Sequence, residues 1–341
     1  MDLRYEQQCL EGINASMDLR AFEGKTIFVT GATGLIGKMI IKALITYVDD
    51  VKLYALVRSQ ERAAKAFEGY DISKIDFIVG DVETFDIKDM GIDYIIHGAS
   101  VTDSKAFVER PREIILTAVN GTQHVLELAK ANPIKMMAYL STMEIYGCPP
   151  DDRKISEDSP SYLDSMSTRS CYPESKRMGE NLCVSANTDS GIPVCSVRLT
   201  QTFGPGVRYD DNRVFAQFAR CSIEKTNIIL KTLGKTKRCY LYLGDAVTAI
   251  LTVLLKGQSG LAYNAANEAT YCSIYEMAEL VADEKSGIKV EVQLDESGNT
   301  GYAPTLCMNL DTSRLQGLGW SPRLGLKDMF NVLIEDMKIN R

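Results

Sequence analysis

Tyr172 and Lys176 stand four positions apart in CYPESKRMGENLC, a spacing that puts both side chains on one face of a helix. A lysine ammonium beside a phenol favours the phenolate, so the pair has the makings of a general base for a hydroxyl group. Upstream, the run Ser141-Thr142-Met143-Glu144-Ile145-Tyr146-Gly147 closes a predicted strand, KMMAYLS. Hydroxyls at a strand end can hydrogen-bond the same substrate hydroxyl that Tyr172 would deprotonate.

A second signal lies near the start of the chain. Gly31-Ala32-Thr33-Gly34-Leu35-Ile36-Gly37 follows the β-branched run KTIFVT and opens an apolar helical pattern. Gly31 suits a tight turn, Gly34 lets the backbone approach a pyrophosphate, and Gly37 lets the helix pack closely. The helix N-terminus adds unsatisfied N–H groups and a positive dipole end. A dinucleotide is therefore expected on Gly31, Thr33, Gly34, Leu35, Ile36 and Gly37. At the tip of the second predicted strand, Arg58 suits the 2′-phosphate of NADP, where an acid would suit the ribose of NAD. Arg58 could equally be a solvated residue or stack on adenine, so NADP and NAD both stay open, with NADP favoured. Asp81-Val82 follows the third strand, where an adenine contact is expected. Gly98-Ala99-Ser100 ends the fourth with small residues that let a cofactor pass.

These residues need a scaffold, and the pattern of the chain predicts one. Strands are expected at 25–30, 51–57, 75–80, 93–98, 135–141 and 194–199, alternating with helices at 35–48, from about Val108 to Ala131, and at 171–191. Such alternation predicts an α/β fold, a Rossmann-type doubly wound parallel sheet. After residue 200 the loops lengthen and gain Gly, Pro and Asp. A helix at Val214–Glu224, the strand NIILK, the helix DAVTAILTVLLK, the segment YNAAN, the helix IYEMAELVADEKSG and a last helix near Lys327–Lys338 follow. We expect an N-terminal helical extension over 1–22, a dinucleotide-binding domain over 23–200 to which later segments return, and a smaller C-terminal substrate-binding lobe over 201–341.

Composition narrows the partners. The chain of 341 residues is 45% apolar and 24% charged, ordinary globular values, and its net charge of −7 argues against nucleic acid. It lacks an apolar stretch long enough to span a membrane, and the charged N-terminus does not read as a signal peptide. Nine cysteines without a C-x-x-C pair and only two histidines argue against zinc and fit buried thiols in a cytoplasmic protein. His97 and His124 read as structural. Cys171 reads as a packing residue, since no histidine partner is evident.

Taken in order, GATGLIG, Asp81, HGAS, Asn120-Gly121-Thr122, STMEIYG, YPESK and TFGP resemble the extended short-chain dehydrogenases that modify nucleotide sugars, from about Lys25 to Trp320. Within that family STMEIYG, RSCYPESKR and TFGPGVRYDDNRV are most similar to the UDP-glucuronate decarboxylases. The resemblance implies a cytoplasmic homodimer in polysaccharide biosynthesis, binding NAD or NADP and a nucleotide-diphosphate sugar. It makes Thr142 the hydroxyl partner, Tyr172 the base, and Lys176 the residue that holds the nicotinamide ribose and tunes Tyr172. Asn120 matches an asparagine of the helix near the active site, grouped with the cofactor residues. Glu144 falls on a carboxylate beside the sugar, Arg213 on an arginine at the nucleotide, and Arg238 on a pyrophosphate-binding arginine. Glu144 as a structural carboxylate, and Arg213 and Arg238 as surface residues, are the plainer alternatives.

Three departures bear on the reaction. Met143 replaces the serine of decarboxylases and the aspartate acid of 4,6-dehydratases, and a thioether cannot donate a proton. Gln201 stands where asparagine is common, and Arg58 replaces an acid. Met143 and Gln201 are expected to touch substrate. A decarboxylase-like reaction through a 4-keto sugar is the leading expectation. An NADPH-dependent reductase of a 4-keto-6-deoxy sugar and a non-catalytic nucleotide sensor are the rivals.

Overall fold

The computed structural model describes residues 2–102, 104–282, 287–294 and 305–341. The β-branched runs of the first half form β1 (Lys25–Thr30), β2 (Val51–Val57), β3 (Ile75–Val79), β4 (Tyr94–His97), β5 (Met136–Thr142) and β6 (Val194–Leu199). The helices of this half are α1 (Arg4–Ser16), α2 (Leu35–Tyr47), α3 (Gln60–Ala66), α4 (Ser104–Glu109), α5 (Pro111–Ala131) and α6 (Cys171–Ser190). The second half contributes β7 (Gln201–Phe203), α7 (Val214–Glu224), β8 (Ile228–Leu230), β9 (Lys237–Tyr242), α8 (Leu243–Lys256) and β10 (Ala262–Ala265). β11 (Asn267–Ser273), α9 (Ile274–Val281), β12 (Val290–Val292), β13 (Cys307–Met308), α10 (Ser313–Gln316) and α11 (Leu326–Ile339) follow.

Seven strands form one parallel sheet in the order β3-β2-β1-β4-β5-β6-β10, a doubly wound Rossmann-like arrangement. The two-residue pleat sorts its side chains onto two faces. Ile27 and Val29 of β1 join the apolar core that includes Ile40 and Leu44 of α2 and Ile250 of α8. Phe28 between them joins the opposite core with Val125 and Leu128 of α5 and Cys183 of α6. Each such side chain, taken fully out of water, contributes about 1.5–3 kcal/mol. Segments beyond residue 200 return to this sheet, since β10 pairs with β6 and α8 packs on β5 and β6.

Two expected helices differ from those observed. The run from Val108 to Ala131 is not one helix, because α4 ends at Glu109 and α5 begins at Pro111. Proline lacks the N–H that a helix interior needs but fits the first helical position, so it restarts the helix. The helix over 274–287 is seen only as Ile274–Val281, and 283–286 lie outside the described residues. A second sheet, not expected as such, sets β9 between β11 and β13, with β7 also pairing with β9. The extension at the N-terminus is built in through a buried ion pair, Lys42 Nζ to Glu6 Oε1 at 2.7 Å, which tethers α1 to α2.

Candidate active site

β1, β2, β3, β4 and β5 all end at the same edge of the sheet, and there a cleft of about 740 Å³ opens. The loop from β1 into α2 forms one wall. Gly31 has φ +69°, and a Cβ there would sit 2.7 Å from the carbonyl of Gly98 at the end of β4. A Cβ at Gly37 would lie 2.4 Å from the carbonyl oxygen of Gly31, so this glycine lets α2 close onto its own turn. Gly34 precedes α2 and donates its N–H to Gly31 at 3.0 Å. Thr33, Leu35 and Ile36 line the same wall.

The adjoining strand ends complete this half of the cleft. Arg58 after β2, Asp81 and Val82 after β3, and Ala99 and Ser100 after β4 all line it. Thr30 Oγ1 accepts the N–H groups of Gly98 and Ala99 at 3.1 and 3.0 Å and pairs with His97 Nδ1 at 2.7 Å. The histidine thereby braces the β4 end from within; burial pushes it down to about 3, so it is neutral. Asn120 does not reach the cleft. It lies one helical turn beyond Thr117 on α5, exposed, and donates to Glu83 at 3.1 Å. Thr117, which donates to the same carboxylate at 2.8 Å, is the α5 residue that lines the cleft.

The other half holds Thr142, Met143, Glu144, Tyr172 and Lys176. Thr142 ends β5, and its hydroxyl accepts the N–H of Glu144 at 3.2 Å, starting a 3₁₀ turn over Met143–Tyr146. Met143 is buried, and its sulfur lies 3.1 Å from the Thr200 hydroxyl, which donates to the Cys239 carbonyl at 2.5 Å. Glu144 accepts Arg169 Nη2 at 3.0 Å. The Arg169 guanidinium in turn lies 4.8 Å from the Phe107 ring centre, and Phe107 stacks on Tyr172 at 4.6 Å. From β6, Arg198 grips Glu180 of α6 at 2.7 Å and donates to the Tyr146 hydroxyl at 2.8 Å. This fork locks the Tyr172 helix to the turn that carries Thr142 and Glu144.

Tyr172 and Lys176 do share a face, but the electrostatics differ from the sequence expectation. Burial pushes the Tyr172 phenol above its ordinary range and Glu144 adds to this, while Thr142 and Arg169 pull it down. Lys176 does not figure among these influences. Its own ammonium, pushed down to about 8 by burial, donates to the Leu140 carbonyl at 2.8 Å.

The distal arginines separate. Gln201 of β7 and Arg213 before α7 line the cleft, the latter held by Asp211 at 2.6 Å. Arg238 is not among the lining residues. It belongs to β9 in the second sheet, in register with Cys272 and Met308, and its buried Nε has no hydrogen-bond partner among the described residues. Sequence reasoning missed Phe107, Thr117, Arg169 and Arg208. Phe107, on the short helix α4, and Arg208, on the connection from β7 to α7, carried no spacing signal, whereas Arg169 stood three residues before Tyr172.

The glycine cradle, the open N-terminus of α2 and the small residues after β4 fit a dinucleotide lying across the strand ends. Residues 27–266 match the NAD dependent epimerase/dehydratase family. This chain is a member of that family. Its relatives include UDP-glucuronic acid decarboxylase 6 of Arabidopsis thaliana, 26% identical over 319 residues, spanning 92% of this chain and 89% of that one. Among solved structures, the UDP-N-acetylglucosamine 4-epimerase of Methanobrevibacter ruminantium M1, in complex with UDP-N-acetylmuramic acid, is similar with a TM-score of 0.80 at 19% identity. That match covers 94% of this chain and all of the epimerase (100%). The UDP-glucuronic acid 4-epimerase of Bacillus cereus, in complex with UDP-glucuronic acid and NAD, is similar at 0.75 and 20% identity, over 93% of this chain and 100% of that one. The family is NAD-dependent and composed of enzymes, and this chain shares its fold. Among the described residues no helix is long and apolar enough to cross a membrane.

Proposed function

We propose that this chain acts on a nucleotide-diphosphate sugar through a 4-keto intermediate and, within that chemistry, decarboxylates a UDP-glucuronate-like substrate. The observation that carries this reading is the pair of side chains beside Tyr172. Glu144 offers a carboxylate in the cleft, whereas Met143 offers a thioether with no proton to give, so no acid stands where a 4,6-dehydratase would need one. The relatedness to decarboxylases supports the same choice.

In this scheme Tyr172 acts from its phenolate form, which Thr142 and Arg169 favour against burial and Glu144, and takes the proton of the sugar C4 hydroxyl while the Thr142 hydroxyl holds that oxygen in place. NAD, held by the glycine loop of Gly31, Gly34 and Gly37 and by Lys176, would supply the reversible hydride acceptor that oxidation at C4 needs. With a carbonyl at C4, the bond from C5 to the carboxylate can break, because its electrons delocalise into the carbonyl as carbon dioxide leaves. Protonation at C5, assisted by Glu144, and return of the Tyr172 proton to the C4 oxygen complete a cycle with no net oxidation. Lys176 would hold the ribose of the cofactor, and Gln201 and Arg213 would contact the substrate. Incubation with a panel of UDP- and dTDP-sugars, followed by NMR, tests the proposal. A UDP-pentose and carbon dioxide from UDP-glucuronate support it; turnover of other sugars alone overturns the decarboxylase assignment.

Arg58 favours a second reading. Its exposed guanidinium at the cleft edge suits a 2′-phosphate, which fits NADP and a net reductase of a 4-keto-6-deoxy sugar. Sustained NADPH consumption with a keto-sugar would establish it. A homodimer through α5 and α6 is also part of the proposal. These helices pack on each other and leave Ile115, Leu116, Met178 and Val184 exposed.

A further inference from the structure

We infer that Tyr139 is a positioning residue for Lys176: the face of its buried ring supports the lysine ammonium, and Gly179 is the residue that admits the ring. The inference rests on the reading of Lys176 as the residue that holds the cofactor ribose.

Lys176 is almost wholly buried, and a buried ammonium needs compensation from its surroundings. Its hydrogen bond to the Leu140 carbonyl supplies part of this. The residue before Leu140 faces the other side of β5, and there the Tyr139 ring centre lies 4.9 Å from Lys176 Nζ. At that distance the negative face of the ring attracts the cation, and the attraction is largest where water is excluded. The ring can lie there only because α6 has no side chain at position 179. A Cβ on Gly179 would stand 2.1 Å from the Tyr139 hydroxyl oxygen and 2.6 Å from the carbon that bears it.

The other charged and titratable groups near Lys176 do not replace the ring. On α6, Glu180 and Cys183 favour the ammonium, but Glu180 is bound to Arg198 of β6. Tyr172, on the same helix, and His97, of β4, are both neutral near pH 7, the histidine held by Thr30 and Thr122. Tyr139 is the aromatic face in direct contact, and burial keeps its phenol protonated.

The test is the pH dependence of NAD affinity in the full chain, by calorimetric titration from pH 6 to 10. Lys176 loses its charge near pH 8, so binding by the wild type weakens about that point. Without the ring the ammonium is less favoured, its charge is lost at lower pH, and the midpoint moves down. Tyr139→Leu should lower the midpoint by about one pH unit. Tyr139→Met, whose longer unbranched chain reaches further into the place of the ring without an aromatic face, should do the same if the leucine variant folds poorly. Tyr139→Phe should leave the midpoint where it is. A merely structural role would change stability and leave all midpoints equal, and that result overturns the inference. Lys176→Met separates the two levels. If it keeps the alkaline loss of binding, the reading of Lys176 falls; if it abolishes that loss while Leu and Met at 139 behave as wild type, only the role of Tyr139 falls.

Discussion

Replacing Lys42 by methionine should destabilise the chain far more than an ordinary surface change. Glu6 of α1 is buried against α2, with side-chain exposures of 8% for the glutamate and 4% for the lysine. Its Oε1 accepts both Lys42 Nζ and the Tyr70 hydroxyl, each at 2.7 Å. Lys42→Met leaves the carboxylate buried with only the phenol, a class of change that costs about 3–5 kcal/mol. For 341 residues the unfolding entropy is about 0.7 kcal/mol per degree, so a single transition should fall by about 4–7 °C. Adding Glu6→Gln removes the orphaned charge and keeps an acceptor for Tyr70, so the pair should recover most of the loss. The assay is calorimetric and urea unfolding of wild type, both single variants and the double. Lys42→Met within about 0.5 kcal/mol of wild type would refute the reasoning, since that is the range of exposed sites.

Further outcomes follow from the glycine loop and the buried histidine. Gly31→Ala should lower both melting temperature and NAD affinity, the latter at least about tenfold, because the left-handed backbone costs about 1 kcal/mol and the Cβ meets the Gly98 carbonyl. Gly34→Ala, at φ −70°, should weaken NAD binding while melting much closer to wild type, and equal melting of both variants would contradict this. His97 is neutral in the fold down to about pH 3 but protonates near 6.5 when unfolded. The unfolded chain therefore binds the extra proton between those values, and stability falls with falling pH by up to about 1.4 kcal/mol per unit. His97→Asn should show a shallower decline between pH 6 and 4 than wild type in urea titrations; parallel declines would exclude the histidine as a source.

Much of the scaffold was legible because it depends on local pattern. β1 alternates toward two cores, and its end carries the glycines that must turn there, so strand, loop and helix agree at one place. The Tyr172–Lys176 spacing was legible for the same reason. What failed were contacts between distant segments. Arg238 and Gln201 both lie beyond residue 200, yet β7 delivers Gln201 to the cleft while Arg238 sits on β9 away from its lining. Phe107 reaches Tyr172 from α4, whose separation from α5 was overlooked although Pro111 marks it. Asn120 and Thr117 share one helix face, and only the depth of the cleft distinguishes them. The spacing of Lys176 and Tyr172 could not show how far burial and Glu144 push the phenol up, because Glu144 arrives from another segment.

The central claim, a hydride removed from C4 and returned there with Tyr172 as base, is tested most directly with UDP-glucuronate deuterated at C4. The account predicts a UDP-pentose that retains deuterium at C4, with no free reduced cofactor, and loss of turnover by at least about a hundredfold in Tyr172→Phe. Deuterium released into the cofactor pool, or undiminished turnover by Tyr172→Phe, would contradict it.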